Sequence, residues 1–332
     1  MFVKKDIRKI PKILDEARKK ASEPSVGDDP SLLTELRLSR RPAEFDGSLS
    51  VLCSRANAPA LRHLVSLSMY DCEIKTLDGI GLLGSPIEES DGSDGPVSRV
   101  CPNLRELNVG RNPIRNLPNE LSTLSQSLTT LWCDDCEIQG SIPSCVLEMR
   151  YLEVLRTSNN SLTTIPESLG EKLMLLKVLC LDGNKIVSVP ESLAKLKNLE
   201  SLMLRQNLVQ SLPEGVPGVG MKSLTLLHVS SNKLKVLPKS LSKCHSLEKI
   251  YANGNVLEEI PAGIGTELLN LKTLNLSTNK ISQLPADFVE RFGEPIIETG
   301  ICEKVCFLFG ILSHCTMQAY GFYLPFITFL LF

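Results

Sequence analysis

Three groups of residues have the types and spacings that could support chemistry. Cys180 and His228 could supply the thiol and the base of a hydrolase. Cys133 and Cys136 form a Cys-x-x-Cys pair, a spacing used for redox chemistry and for metal binding. Residues 215–220, Gly-Val-Pro-Gly-Val-Gly, have the glycine content of a phosphate-binding loop. Each hypothesis depends on the elements that would hold these side chains.

A repeat of 23 to 25 residues organises most of the chain. Its pattern is Leu-x-x-Leu-x-Leu-x-x-Asn, followed in most copies by an apolar residue and proline. The nine copies begin at Leu64, Leu104, Leu128, Leu152, Leu176, Leu199, Leu224, Leu247 and Leu271. The Leu-x-Leu alternation has the period of a strand, and a short repeat buries its leucines only by stacking on its neighbours. The sequence therefore predicts an α/β leucine-rich repeat solenoid, a curved horseshoe with a parallel β-sheet on the concave face and short helical or irregular convex segments.

This repeat frame separates the three candidate chemical groups. Cys180 and His228 fall two strands apart, about 9.6 Å, with Met203 between them, whereas a nucleophile and its base need about 3 Å. Cys133 and Cys136 both turn into the core. The glycine-rich loop lacks the preceding strand and the following Lys-Ser/Thr of a phosphate loop. We therefore expect a protein that is not an enzyme and has no metal or cofactor.

Asparagine and cysteine fill structural positions of the repeat. A buried column of amides can satisfy the turn backbone from one repeat to the next. Its predicted members are Asn112, Asn160, Asn184, Asn207, Asn232, Asn255 and Asn279. Cys72 and Cys136 stand at the same position and offer fewer hydrogen bonds. Of the 11 cysteines, we expect most to be reduced thiols in the core.

The composition of the chain indicates where the protein is located and which classes of partner it binds. The net charge is −2 and the isoelectric point is about 6.2, so no global basic field favours nucleic acid. The N-terminus lacks the apolar stretch of a signal peptide, which favours a cytoplasmic location.

The segments before and inside the repeat domain form separate regions. Residues 1–30 are basic and carry apolar residues at helical spacing, which predicts a helix. This helix could cap the solenoid, fray as an extension, or lie on an anionic membrane or a partner. Residues 31–63 predict a divergent N-terminal capping repeat, with Arg41 at the asparagine position. The repeat domain spans 64–293, with an acidic insertion loop at 84–99.

Residues 294–332 form a hydrophobic tail that departs from the repeat. Residues 305–332 carry no formal charge apart from His314, and their length suffices for a membrane anchor. Polar residues and the lack of a basic flank weaken that interpretation. The alternatives are a tail folded back as a cap and an altered C-terminus of a longer solenoid.

The outward positions of the predicted strands are the candidate binding surface. The residue between the two strand leucines varies while the leucines do not, and its column includes Cys180 as an exposed residue. A second exposed column two residues further on includes Asp134, Ser158, Asp182, Arg205 and Ser230. Aromatic and arginine side chains dominate binding hot spots, so Trp132 and Arg156, on neighbouring strands, could stack or form a platform. The predicted partner-binding residues are Trp132, Arg156, Met203, His228, Tyr251, Asp134, Asp182 and Arg205.

The Leu-Pro repeat period resembles intracellular leucine-rich repeat proteins of the Ras-signalling scaffold type and their plant Ras-group relatives. This resemblance implies a scaffold or adaptor in signal transduction, with a small GTPase, a phosphatase or a kinase as partner. Two other functions stay open from the sequence: the recognition region of a larger kinase or cyclase with a truncated C-terminus, and a tail-anchored membrane adaptor.

Overall fold

A single parallel sheet dominates the structure, a computed structural model that describes residues 9–21, 32–45, 47, 49, 51–86 and 100–288. In this part of the chain the sheet has ten strands in the order β1-β2-β3-β4-β6-β8-β9-β10-β11-β12, and a separate two-stranded sheet pairs β5 with β7. The strands are β1 (Glu35–Arg37), β2 (Ser66–Ser68), β3 (Glu106–Asn108), β4 (Thr130–Trp132), β5 (Gln139–Ser141), β6 (Val154–Arg156), β7 (Ser161–Thr164), β8 (Val178–Cys180), β9 (Ser201–Met203), β10 (Leu226–His228), β11 (Lys249–Tyr251) and β12 (Thr273–Asn275). The predicted parallel sheet is confirmed.

The repeat keeps one register across the main sheet. Counting positions from the first leucine, each strand covers positions 3 to 5, and the position-4 residues pair from strand to strand, as Leu131 does with Leu155 and Leu155 with Leu179. These leucines are fully buried, because alternate side chains of a strand point to the same face. Positions 3 and 5 consequently line the outward face of the sheet.

Short helical segments return the chain on the opposite, convex side. The α-helices are α1 (Ile10–Ala21), α2 (Pro42–Phe45), α3 (Ala58–Leu61), α4 (Gly81–Gly84), α5 (Ser144–Leu147), α6 (Leu169–Lys172) and α7 (Ile264–Glu267). The 3₁₀ helices are Arg55–Asn57, Asn119–Leu124, Glu191–Lys195 and Lys239–Lys243. Leu193 and Leu196 of one such segment are fully buried and anchor it to the core. The proline of the apolar residue–proline pair precedes several of these segments, as Pro190 does after Val189, in an extended conformation that starts the turn.

The predicted asparagine column forms a hydrogen-bonded ladder. Asn207 is typical: its Nδ2 donates to the carbonyls of Leu181 (2.9 Å) and Leu204 (3.1 Å), and its Oδ1 accepts from the N–H of Ile186 (3.0 Å). At Cys136 the thiol donates weakly to the Val109 carbonyl (3.5 Å), so a cysteine supplies fewer bonds, as expected. The ladder ties the turn of each repeat to the backbone of the repeat before it.

Position 8, just before the asparagine, is left-handed in all ten repeats of the described chain, with φ between 53° and 67°. These residues are Arg40, Asp71, Arg111, Asp135, Asn159, Gly183, Gln206, Ser231, Gly254 and Thr278. Left-handed backbone is unfavourable for most side chains, so the adjacent ladder must hold these turns in place. The sequence pattern alone did not reveal this constraint.

The N-terminal helix closes one end of the solenoid. α1 packs against α3 and buries Ile10, Ile13, Leu14 and Ala17 in the common core. Its apolar face is thus covered by the solenoid, which leaves the basic side of the helix outward. β1 adds an atypical first strand, paired in parallel with β2.

The acidic insertion and the hydrophobic tail fall mostly outside the described residues. The two ends of the insertion meet, because the Cys101 N–H donates to the Leu83 carbonyl (2.8 Å), while residues 87–99 are not described. The three alternatives for the tail concern residues 289–332, which are not described either. None of the helices in the described ranges has the length and apolar character that a membrane crossing requires.

Candidate functional site

The position-5 residues form a continuous row on the outward face of the sheet, which we call the central column. Strand pairing places each of them beside the next. From β4 to β11 they are Trp132, Arg156, Cys180, Met203, His228 and Tyr251. Trp132, Met203, His228 and Tyr251 are half-buried and Arg156 is exposed, so five of the six reach solvent.

Cys180 is the exception, and its predicted exposure is wrong. The thiol is buried, with its Sγ 3.0 Å from the Ser158 hydroxyl and 3.9 Å from the Met203 sulfur. A small side chain between larger neighbours does not reach the surface. Met203 lies between Cys180 and His228, as the register predicted, so these two residues do not form a nucleophile–base pair.

The second column is also less exposed than predicted, for the same steric reason. Ser158 and Ser230, at position 7, are buried, and the Ser230 hydroxyl donates to Oδ1 of Asn253 (2.5 Å). Asp134 and Asp182 are half-buried and Arg205 is exposed. Of these five residues, the three charged ones are therefore the accessible ones.

Arg156 bonds to an aspartate instead of stacking on Trp132. Its Nε lies 2.8 Å from Oδ2 of Asp134, and the other Asp134 oxygen accepts from the Ser158 N–H (2.7 Å). Burial alone would lower the pKa of the Arg156 guanidinium, but the Asp134 carboxylate outweighs it and raises that pKa. The Trp132 indole nitrogen is buried and has no hydrogen-bond acceptor among the described residues. Trp132 and Arg156 thus lie side by side without a shared platform.

Asp182, Arg205, His228 and Tyr251 form a second polar group further along the sheet. Asp182 accepts a hydrogen bond from the Arg205 backbone N–H (2.7 Å). The rings of His228 and Tyr251 are tilted, with centroids 5.1 Å apart. Burial raises the pKa of Asp182, and burial lowers the pKa of His228 although Asp182 opposes that shift. The imidazole is therefore neutral at pH 7 and presents a flat, weakly polar surface.

Ion pairs between neighbouring strands neutralise much of the remaining charge. Position-2 residues of neighbouring strands form such pairs, with Lys177 2.8 Å from Glu153 and Lys272 2.8 Å from Glu248. The structure adds a position-8 group that the sequence analysis missed, in which Asp71 lies between Arg40 (3.3 Å) and Arg111 (3.9 Å). When the repeats are aligned at position 8, the charges of these residues alternate in sign, and this alternation could have predicted the group from the sequence.

The remaining chemical candidates pack in the core or on the convex side. Cys133 and Cys136 are both buried, as predicted. In the glycine-rich loop, Val216 is buried and the Gly218 carbonyl accepts from the Cys244 thiol (3.2 Å). Within the described ranges, no three His, Cys, Asp or Glu side chains are grouped as metal ligands.

All eight described cysteines are free and buried, and burial raises the pKa of their thiols. The pKa is about 12 for Cys53, Cys101 and Cys244, and about 11 for Cys136. Because only the thiolate reacts rapidly, we expect iodoacetamide at pH 8 to leave these cysteines unmodified in the folded protein and to modify them in urea. Peptide mass spectrometry measures the labelling; native labelling of Cys133 would contradict the structure.

The same thiols predict a loss of stability in alkaline solution. In the folded state burial raises the pKa of Cys53, Cys101 and Cys244 to about 12, whereas unfolded cysteine releases its proton near its ordinary pKa of about 8.5. The unfolded state then binds fewer protons, so the free energy of unfolding falls as pH rises above about 8.5, by up to ~1.4 kcal/mol per pH unit for each such thiol. Urea titrations at pH 7.5 and 9.5 measure the difference, and equal stabilities would contradict it.

The protein belongs to the class of repeat solenoids. Its main sheet takes one strand from each repeat, an asparagine ladder joins the repeats, and the outward column varies. Family models described as leucine-rich repeat match residues 150–209, 197–257 and 270–291. The chain is a leucine-rich repeat protein.

Solved structures share this fold, and one curated protein is similar in sequence over part of the chain. A 117-residue stretch is 37% identical to an adenylate cyclase of Podospora anserina, covering 35% of this chain but only 5% of that protein. A leucine-rich repeat protein of Leptospira interrogans has a TM-score of 0.64 at 23% identity, over 86% of this chain and 67% of that one. The ectodomain of the Arabidopsis thaliana receptor kinase GASSHO1/SCHENGEN3, in complex with CASPARIAN STRIP INTEGRITY FACTOR 2, has a TM-score of 0.56 at 23% identity, over 70% of this chain and 26% of that one. Identities this low indicate a shared fold.

Proposed function

We propose that the protein is a non-enzymatic interaction module that binds a protein partner on the outward, concave face of its sheet. The observation that carries this proposal is the central column. Its leucine neighbours are constant and buried, whereas Trp132, Arg156, Met203, His228 and Tyr251 differ from strand to strand and reach solvent. Packing within the solenoid does not require this variety, and recognition of a partner does.

The chemistry of the face suits a protein better than an apolar small molecule. The central column runs across six neighbouring strands from β4 to β11, about 24 Å at the usual strand spacing of ~4.8 Å. Aromatic and arginine side chains there alternate with charged groups such as Asp134 and Arg205, a mixture typical of protein interfaces. The GASSHO1/SCHENGEN3 ectodomain, which shares the fold, was solved with a protein ligand, which supports a partner of this kind.

The resemblance to Ras-signalling scaffolds supports a more specific proposal about the pathway, the location and the partner. By that resemblance the module acts in signal transduction in the cytoplasm, with a small GTPase, a phosphatase or a kinase as partner. No basic global charge favours nucleic acid, in keeping with the net charge of −2.

Substitutions on the two faces of the full-length chain test the proposal. We expect Trp132→Ala with Arg156→Ala to weaken capture of a bound partner at least tenfold, about 1.4 kcal/mol or more, because hot spots concentrate on such side chains. Met203→Ala with Tyr251→Ala should act similarly without removing the buried indole. Affinity capture followed by quantitative proteomics, with circular dichroism as a check on folding, measures the effect.

The matched control removes two exposed lysines outside the concave face, Lys222→Ala with Lys239→Ala. This variant should capture the partner as the wild type does. If both concave variants are folded and capture the same proteins in the same amounts as the wild type, the concave face is not the binding surface.

A second candidate function is the recognition region of a larger enzyme. The similarity to an adenylate cyclase of Podospora anserina favours it, since the chain covers only 5% of that protein. Long-read sequencing of transcripts from the source organism tests it. Transcripts that join these repeats to a cyclase or kinase catalytic domain would support it, and transcripts without such a domain would contradict it.

Membrane association through residues 305–332 is a third candidate, which rests on the composition of the tail. Carbonate extraction of membranes from cells that express the full chain, or the chain ending at Gly293, tests it. The anchor predicts that only the full chain stays in the membrane pellet, and identical soluble behaviour of the two would contradict it.

A further inference from the structure

Two cations of the outward face lack the counter-ion that every other one has. In the described repeats, six lysines and arginines occupy positions 3, 5, 7 and 8, and they are Arg37, Arg40, Arg111, Arg156, Arg205 and Lys249. The first four each have a carboxylate at 2.8 to 3.9 Å. Arg205 and Lys249 have no such partner among the described residues, and the Arg205 guanidinium makes no hydrogen bond there. Their nearest carboxylates act at longer range, Asp182 on Arg205 and Glu248 on Lys249, so the second half of the face holds two cations without a direct ion pair.

A backbone donor four residues after Lys249, in the same row as Arg205 and two strands from it, is also unsatisfied. At position 7, the N–H groups of Ser158 and Arg205 are capped by the aspartates of the preceding strands, Asp134 and Asp182, each at 2.7 Å. The strand before Asn253 carries Ser230 at position 7 and not an aspartate. The Ser230 hydroxyl donates to Oδ1 of Asn253 (2.5 Å). The Asn253 N–H is left with no acceptor among the described residues. The region thus offers hydrogen-bond donors in excess, which an acceptor-rich ligand can satisfy.

The register places Arg205 and Lys249 on opposite sides of the His228–Tyr251 pair. His228 is paired with Tyr251, and Lys249 lies two residues before Tyr251 on β11. Arg205 lies two residues after Met203, the β9 neighbour of His228. The two cations are thus two strands and four residues apart, about 16 Å between Cα atoms along a diagonal. Both side chains are long enough to reach toward the aromatic pair.

This diagonal matches the side-chain spacing of an extended peptide. Side chains i, i+2 and i+4 of an extended chain project from one face at intervals of about 6.8 Å, so they span about 13 Å. Acidic groups at i and i+4 would reach Arg205 and Lys249, and an apolar residue at i+2 would rest on the His228 and Tyr251 rings.

Nearby carboxylates set the limits of this site. Asp182 is on the far side of Arg205, on the β8 side, and its Oδ1 already accepts the Arg205 N–H. Glu248, next to Lys249 in the chain, is paired with Lys272 at 2.8 Å. Asp182 also acts electrostatically on His228, so an anion at Arg205 meets least repulsion on the side away from β8.

We propose that strands β9 to β11 bind an extended segment of a protein partner with the pattern acidic–x–apolar–x–acidic, its carboxylates on Arg205 and Lys249 and its apolar side chain on His228 and Tyr251. This inference rests on the proposed function, because it names the chemistry of the partner for the same face.

Fluorescence anisotropy with two synthetic peptides tests it on the full-length chain. The probe is a fluorescein-labelled, C-terminally amidated Gly-Glu-Gly-Leu-Gly-Glu-Gly peptide, and its twin carries glutamine in place of both glutamates. At low salt we expect the acidic peptide to bind at least tenfold more tightly than the neutral one. The double variant Arg205→Gln with Lys249→Gln should abolish that difference, since it removes both unpaired charges.

The control Lys222→Gln with Lys239→Gln makes the same change in net charge outside the outward face and should leave the difference intact. Equal binding of the two peptides, no binding of the acidic peptide at low salt, or the same loss in the control would overturn the proposal. Capture of a whole partner that depends on Trp132 and Arg156, together with any of these outcomes, would leave the proposed function standing and remove this inference alone.

Discussion

Gly170→Ala is expected to destabilise the fold by about 3 kcal/mol, the upper end for overpacking a close contact. A Cβ at Gly170 would lie 1.8 Å from the Ser192 carbonyl oxygen and 3.0 Å from the Leu193 nitrogen. Both atoms are backbone of the next repeat, so the clash is relieved only by separating two convex segments. Gly170 lies in helix α6, where alanine is intrinsically better by about 1 kcal/mol. The steric clash outweighs this helix preference, so the net effect of Gly170→Ala on stability is destabilising.

Gly215→Ala is the matched control. The nearest atom to its Cβ would be the Ala194 Cβ at 3.4 Å, an ordinary contact. Because alanine also restricts the unfolded chain, this change should be neutral or stabilise by up to about 1 kcal/mol. Urea unfolding of both variants measures the free energies. A Gly170→Ala protein as stable as the wild type would show that the repeats do not approach this closely.

Asn207→Ala is expected to lower the free energy of unfolding by about 3 kcal/mol, because it leaves a buried backbone N–H unpaired and removes one donor from each of two buried carbonyls. The Ile186 N–H would lose its acceptor. The carbonyls of Leu181 and Leu204 would each lose one donor and keep another, from Asn184 and Asn232 respectively. Asn198→Ala is the control, since this exposed side chain makes one hydrogen bond, to the Met174 carbonyl. We expect it to change stability by less than about 1 kcal/mol.

Cys136→Asn tests the same ladder in the opposite direction. An asparagine there could replace the weak thiol contact to the Val109 carbonyl (3.5 Å), which also accepts from Asn112 Nδ2 (2.8 Å), and could offer the Ile114 N–H an acceptor in addition to the Asn112 carbonyl (2.7 Å). We expect a gain of about 1 kcal/mol. If urea unfolding shows Asn207→Ala to be no more harmful than Asn198→Ala, the ladder does not hold the repeats together.

The sequence predicted the main sheet because its repeat specifies buried and outward positions directly. Leu131, Leu155 and Leu179 recur at one position, so strand pairing could only place them together. The same frame correctly assigned Asn207 to the ladder and Cys133 to the core. These features follow from the repeat period and need no knowledge of neighbouring side chains.

Features that depend on the neighbours of a residue were not predictable in this way. Cys180 occupies an outward position but is buried because Ser158 and Met203 lie against it. Arg156 could have stacked on Trp132, and the Asp134 carboxylate decides otherwise. The pairing of β5 with β7 also escaped the pattern, since Gln139–Ser141 is exposed and carries no leucine alternation.

Photo-cross-linking tests the central claim, binding of a protein on the concave face, most directly. The photoreactive residue p-benzoylphenylalanine would replace Met203 in the central column or, in a second protein, Lys239 on the convex side. Both full-length proteins would be illuminated in cells of the source organism, and adducts would be identified by mass spectrometry. The account predicts a discrete protein adduct from position 203 and none from position 239. Adducts from position 239 alone, or the same adducts from both, would contradict it.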